Sequence, residues 1–110
     1  MKFLALYVGT ATDDQKAAMS EEQSNVLMAD WGRWMDEHRA AIVDPGTPLG
    51  DTQRVAQDGT SPARNNYVGY TIVEAASHDE AAAMFATHPI LRLLPGNAVE
   101  VMTCPDLPGM

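Results

Sequence analysis

The spacing of apolar residues changes several times along the chain, and each change marks an element. Phe3-Leu4-Ala5-Leu6-Tyr7-Val8 is apolar at both parities, the pattern of a strand covered on both faces. Farther on, Leu27, Trp31, Trp34, His38 and Ile42 recur at steps of three or four, which lines them up on one helical stripe. Arg33, Asp36, Glu37 and Arg39 fall on the opposite, solvated side. This spacing predicts a helix from about Ser20 to Val43, roughly 36 Å long at the standard rise. Asp44-Pro45-Gly46 ends it, because the residue before proline is pushed out of the helical region and glycine suits a left-handed turn. A third strand follows from Tyr67 to Ala75, and a second helix presents Ala81, Met84, Phe85 and His88 on its inner face until Pro89 stops it. The last strand alternates, with Val99 and Val101 on one side and Glu100 and Met102 on the other.

Local signals support both helices. Ser20-Glu21-Glu22-Gln23 and Ser77-His78-Asp79-Glu80 each place a hydroxyl N-cap three residues before Glu or Gln. Gly9 to Asp14 reads as a turn, Gln53 to Gln57 as a short strand, and Asp58 to Asn66 as a loop able to cover a site. Pro95-Gly96-Asn97 is a turn, and residues 105–110 form a tail expected to fray. The order is strand, helix, strand, strand, helix, strand. Right-handed crossovers and a central hairpin then give an α+β, ferredoxin-like βαββαβ sandwich with strand order 4-1-3-2 and antiparallel helices on one face. That topology puts His38 and His88 at opposite ends of the sheet, which argues against a metal held by both. The other sheet face is left apolar and uncovered. A homodimer closing sheet against sheet would cover it.

Composition narrows the partners. The 110 residues support one domain, residues 1–110, and 15 acidic against 7 basic residues give a net charge of -8. The cations are dispersed, so nucleic acid and anionic membranes are excluded as natural partners. Cys104 is the only cysteine, which rules out an internal disulfide. No stretch approaches the ~20 apolar residues of a membrane span. The opening Met1 to Val8 fits a first strand better than a signal peptide, and a cytoplasmic protein is expected. No spacing matches a structural zinc site or a phosphate loop, so no metal or cofactor is expected.

Candidate chemistry centres on His38, which lies on the apolar stripe near the end of the first helix, where the dipole favours a charged imidazole. Asp44, just beyond that end, could orient it in a general acid–base pair. The alternative is a buried histidine satisfied by a carbonyl or by Asp44. Trp34 and Tyr70 are candidate walls for a small-molecule ligand, although aromatics at helical spacing also simply pack. Glu74 and Glu100 are carboxylates that could face a dimer cavity, where each would need a partner or a raised pKa, or lie exposed at an edge. His88 reads as a helix-end cap and His78 as solvent-exposed.

Several segments carry a family likeness: Met1-Lys2-Phe3-Leu4-Ala5-Leu6-Tyr7, Trp34-Met35-Asp36-Glu37-His38, Ile42 to Gly50, Gly69 to Ala75, His88-Pro89 and Val99 to Met102. Together they resemble the YCII-related group, including the DGPF proteins, over nearly the whole chain. The resemblance implies a ferredoxin-like protomer pairing as a dimeric α/β barrel, with lyase or hydrolase chemistry on a small molecule through a histidine and an aspartate. The chain departs from the group's enzyme-like members at Trp34-Met35, where they carry a histidine, and at His88-Pro89, where they carry Asp-Pro. Two readings therefore stay open: a small-molecule enzyme using His38 and Asp44, and a non-catalytic binding or interaction module.

Overall fold

The computed structural model describes residues 1–109, except the side chain of Asp13; Met110, the end of the expected tail, lies outside them. In chain order the elements are β1 (Lys2–Val8), α1 (Asp13–Ala17), α2 (Glu21–Glu37), β2 (Ile42–Asp44), β3 (Thr52–Ala56), β4 (Gly59–Ala63), β5 (Tyr67–Glu74), α3 (His78–Met84), α4 (Ile90–Leu93) and β6 (Ala98–Thr103), with 3₁₀ turns at Arg39–Ala41 and Phe85–Thr87. The main sheet runs β2-β5-β1-β6, every neighbouring pair antiparallel. Counting its strands in chain order gives 4-1-3-2, and the fold is ferredoxin-like α+β as expected.

The sheet's second strand is not the expected one. The first helix stops at Glu37, and the chain turns through 3₁₀ geometry into β2, so Ile42 and Val43 leave the helix. Ile42 and Val43 are β-branched and favour a pleated surface, and Ile42 pairs with Val73 along the edge of β5. The segment around Gln53 to Gln57 instead belongs to a separate two-stranded ribbon, in which Thr52 pairs with Ala63 and Ala56 with Gly59. The expected loop from Asp58 to Asn66 thus contains β4. Asp58-Gly59 supplies the hairpin signal, and Gly59 takes φ 135°, a value glycine tolerates without strain. Within the expected turn at Gly9 to Asp14, α1 begins, opened by a capping box in which Thr12 and Gln15 satisfy each other's backbone N–H groups.

The two faces of β1 differ. Phe3, Ala5 and Tyr7 are buried, and with Val73, Trp34, Ala81, Phe85 and Ile90 they form the core. Leu4 and Leu6 are only partly covered. Leu4 pairs with Ile72 and Met102, and Leu6 with Tyr70 and Glu100, so these six residues share the open face. One helix layer on one sheet layer makes a plate, 49 × 44 × 20 Å. Its radius of gyration is 15.7 Å, against about 13 Å for a compact chain of this length. Among the described residues no helix is long and apolar enough to cross a membrane.

Candidate functional site

The densest chemistry gathers where α2, β1 and the end of α3 meet. His88 is fully buried, its ring centroid 4.3 Å from that of Trp31 and 4.7 Å from those of Tyr7 and Trp34. Its Nδ1 accepts the Ile90 N–H at 3.1 Å. That bond fixes the tautomer, since a neutral imidazole accepting at Nδ1 carries its proton on Nε2. Nε2 has no hydrogen-bond partner among the described residues. Burial, aided by the charges of Arg92 and His38, pushes the His88 pKa down to about 4, so the ring is neutral at physiological pH. An unpaired buried donor costs about 1–3 kcal/mol, which makes this the most conspicuous polar atom in the core.

A chain of hydroxyls ties the same cluster to the loop after β2. The Thr71 hydroxyl donates to the Pro45 carbonyl at 3.1 Å, so the 2.6 Å contact between Tyr7 and Thr71 has the phenol as donor. Burial pushes the Tyr7 pKa up to about 12. Asp44 closes the loop: its Oδ1 accepts the Gly46 N–H at 2.8 Å and its Oδ2 the Tyr70 hydroxyl at 3.2 Å. That hydrogen bond and the carboxylate's charge raise the Tyr70 pKa. Gly46 has φ 79°, and a Cβ there would lie 1.7 Å from the Tyr70 carbonyl oxygen. Only glycine lets the loop lie this close to β5.

Of the residues singled out from sequence, Asp44 and Tyr70 are brought into contact. His38 and Asp44 share no hydrogen bond among the described residues, and both carboxylate oxygens of Asp44 are engaged elsewhere. His38 is half-buried, with its ring 4.7 Å from that of Trp34. The two histidines are therefore not at opposite ends of the sheet; they flank one indole. The reason is the shortness of α3, whose 3₁₀ extension turns His88 back over β1. Trp34 is buried and donates from Nε1 to the Met84 carbonyl at 2.9 Å, tying α2 to α3. Glu74 is exposed and lies 3.8 Å from the Met1 amino group. Glu100 is exposed on the open face, with Leu6 between it and Tyr70. His78, though exposed, stacks on Phe3 and bonds the Val101 carbonyl through Nε2 at 2.8 Å.

A cleft of about 820 Å³ opens at the C-terminal end of β1. Gly9, Val26, Leu27, Val68, Pro89 and Leu94 are among its walls, contributed by the turn after β1, α2, β5 and the segment around α4. None of His38, Asp44, Trp34, Tyr70, Glu74 and Glu100 lines it. Its wall at Pro89 and Ile90 directly follows His88. Sequence reasoning missed this cleft because α1 and α4, which frame it, are short and carry little periodicity. A signal for His88 itself did exist, since it continues the Ala81, Phe85 stripe. Among the described residues no group of three His, Cys, Asp or Glu side chains is placed to hold a metal.

The architecture is shared with a solved enzyme. The chain is similar to 5-chloro-2-hydroxyhydroquinone dehydrochlorinase (TftG) from Burkholderia phenoliruptrix AC1100, determined in complex with 2,5-dihydroxybenzoquinone, with TM-score 0.54 and 20% identity over 91% of each chain. That likeness supports a YCII-like fold. No family model matches the chain, and no curated protein does.

Proposed function

We propose that this chain belongs to the YCII-related group and binds a small, largely apolar organic molecule in the cleft at the end of β1. The observation that carries the reading is the cleft itself, roomy enough for a ring-sized ligand and walled at one point by the residues that follow a neutral, buried imidazole with an unpaired N–H. The dehydrochlorinase with this fold holds a flat quinone, and acid–base chemistry of the lyase or hydrolase kind is the activity to test. In that scheme the Nε2–H of His88 is the proton donor nearest the cleft, and His38 with Asp44 forms a second acid–base pair once the ligand reorders the Asp44 loop. A second copy covers the open face of Leu4, Leu6, Ile72 and Met102 and gives a homodimer; a monomer by light scattering would remove that part.

One observation favours binding without catalysis: neither oxygen of Asp44 is free to orient His38. Thermal shift with hydroquinone and 2,5-dihydroxybenzoquinone tests the common core of both readings. Either compound at saturating concentration should raise Tm by several degrees, about 2–3 kcal/mol of linkage. Val26→Trp, which fills the cleft from an exposed position, should abolish the shift while leaving the unliganded Tm unchanged. An unaltered shift in that variant would place binding elsewhere.

A further inference from the structure

We infer that the cleft is built for an organic monoanion, its apolar body among Val26, Leu27 and Val68 and its charged group at the mouth between Lys16 and Arg92; this rests on the small-molecule reading of the same cleft. The charge distribution carries it. In a chain of net charge -8, an anion is repelled on approach unless cations are placed locally. Arg33 is held by Asp30 at 3.2 Å and Arg39 by Asp36, leaving both neutralised. Lys16 and Arg92 form no ion pair among the described residues, and both line the cleft while remaining exposed.

The acidic groups on the same wall do not cancel them. Asp30 lines the cleft with its carboxylate already bridged to Arg33. Glu22 sits in the first turn of α2, a helix of 17 residues capped by Ser20, where the positive end of the helix dipole offsets part of the carboxylate's charge. Val26, Leu27, Val68, Ile90 and Leu94 give the cleft an apolar stretch of wall, which suits the hydrocarbon body of a ligand better than its charge. A ligand therefore leaves its charged end at the rim, where water and the two cations share it, and inserts the rest. Arg92 also connects the mouth to the core, because its charge helps depress the pKa of His88; an anion beside Arg92 relieves part of that field.

The test compares 1-naphthoate with 1-naphthamide, which share one apolar body and differ in charge, by isothermal titration calorimetry. Naphthoate should bind about tenfold more tightly, a difference of roughly 1.4 kcal/mol, and the preference should shrink as salt rises from about 50 to 300 mM. Arg92→Gln and Lys16→Gln should each weaken naphthoate several-fold and leave naphthamide unchanged. Both side chains are exposed, and circular dichroism of each variant should match the wild type. Equal affinity for acid and amide overturns the inference and leaves the small-molecule reading intact. Absence of binding by either compound overturns both.

Discussion

His88 and His38 each lay an imidazole 4.7 Å from the ring of Trp34, yet their surroundings differ completely. His88 is enclosed by Tyr7, Trp31, Trp34 and Phe85, and its Nδ1 is committed to the backbone. His38, one helical turn beyond Trp34, keeps one side in solvent and ends α2 as its C-cap. Enclosure rather than helix position sets the state of these rings: the histidine that looked like a cap is core, and the one on the predicted apolar stripe is rim. A buried neutral imidazole with a fixed tautomer is a preorganised donor.

The largest break in this comparison should come from truncation. His88→Ala leaves a cavity and an unpaired Ile90 N–H, and should lower unfolding free energy by about 3–4 kcal/mol, whereas His38→Ala should cost less than about 1 kcal/mol. Urea denaturation of the two variants distinguishes them, and equal losses would erase the contrast.

Acid sharpens it next. His88 titrates near its ordinary value of 6.5 in the unfolded chain and at about 4 when folded, so between those values the unfolded state binds more protons. Stability contributed by His88 is intact above pH 6.5 and falls by up to roughly 3 kcal/mol as pH drops to 4. His88→Gln should flatten the pH dependence by that amount, and an unchanged slope would contradict the burial of the neutral ring.

Smaller effects address the indole between them. Trp34→Phe removes the bond to the Met84 carbonyl and should cost about 1 kcal/mol, with near-ultraviolet circular dichroism reporting the altered packing of both imidazoles. Least of all, Asp44→Asn should return Tyr70 toward the ordinary tyrosine pKa, because the carboxylate holds it up. Ultraviolet titration of the phenols reads that change, and an unmoved Tyr70 would show that Asp44 is not its partner in solution.

Much of the architecture was legible because the signals were local. The capping residues Ser20 and Ser77 open α2 and α3, and the alternation of Val99 and Val101 with Glu100 marks β6. What escaped lay where two periods overlap or where none exists. Ile42 continues the helical stripe of Trp34 and His38, so only pairing with β5 reveals it as strand. Gly59-Thr60-Ser61-Pro62 carries no apolar alternation, and its ladder depends on β3 lying opposite. Thr12 and Gln15 repeat the capping pattern, but the residues behind them are polar and bury no stripe. The candidate site suffered more, since a cleft framed by α1 and α4 arises from tertiary placement of segments that look like connections. His88 was visible as a position on the inner face of a helix; its enclosure by β1 and α2 was not.

The β3–β4 ribbon stands apart from all of this. It shares no ladder with the main sheet, and Val55 at its middle is 79% exposed. Its turn at Gln57-Asp58 is consequently a natural splice point: residues could be added or removed there without shifting the register of β1, β5 or β6. An experimenter could graft a tag at its tip without disturbing the rest of the molecule.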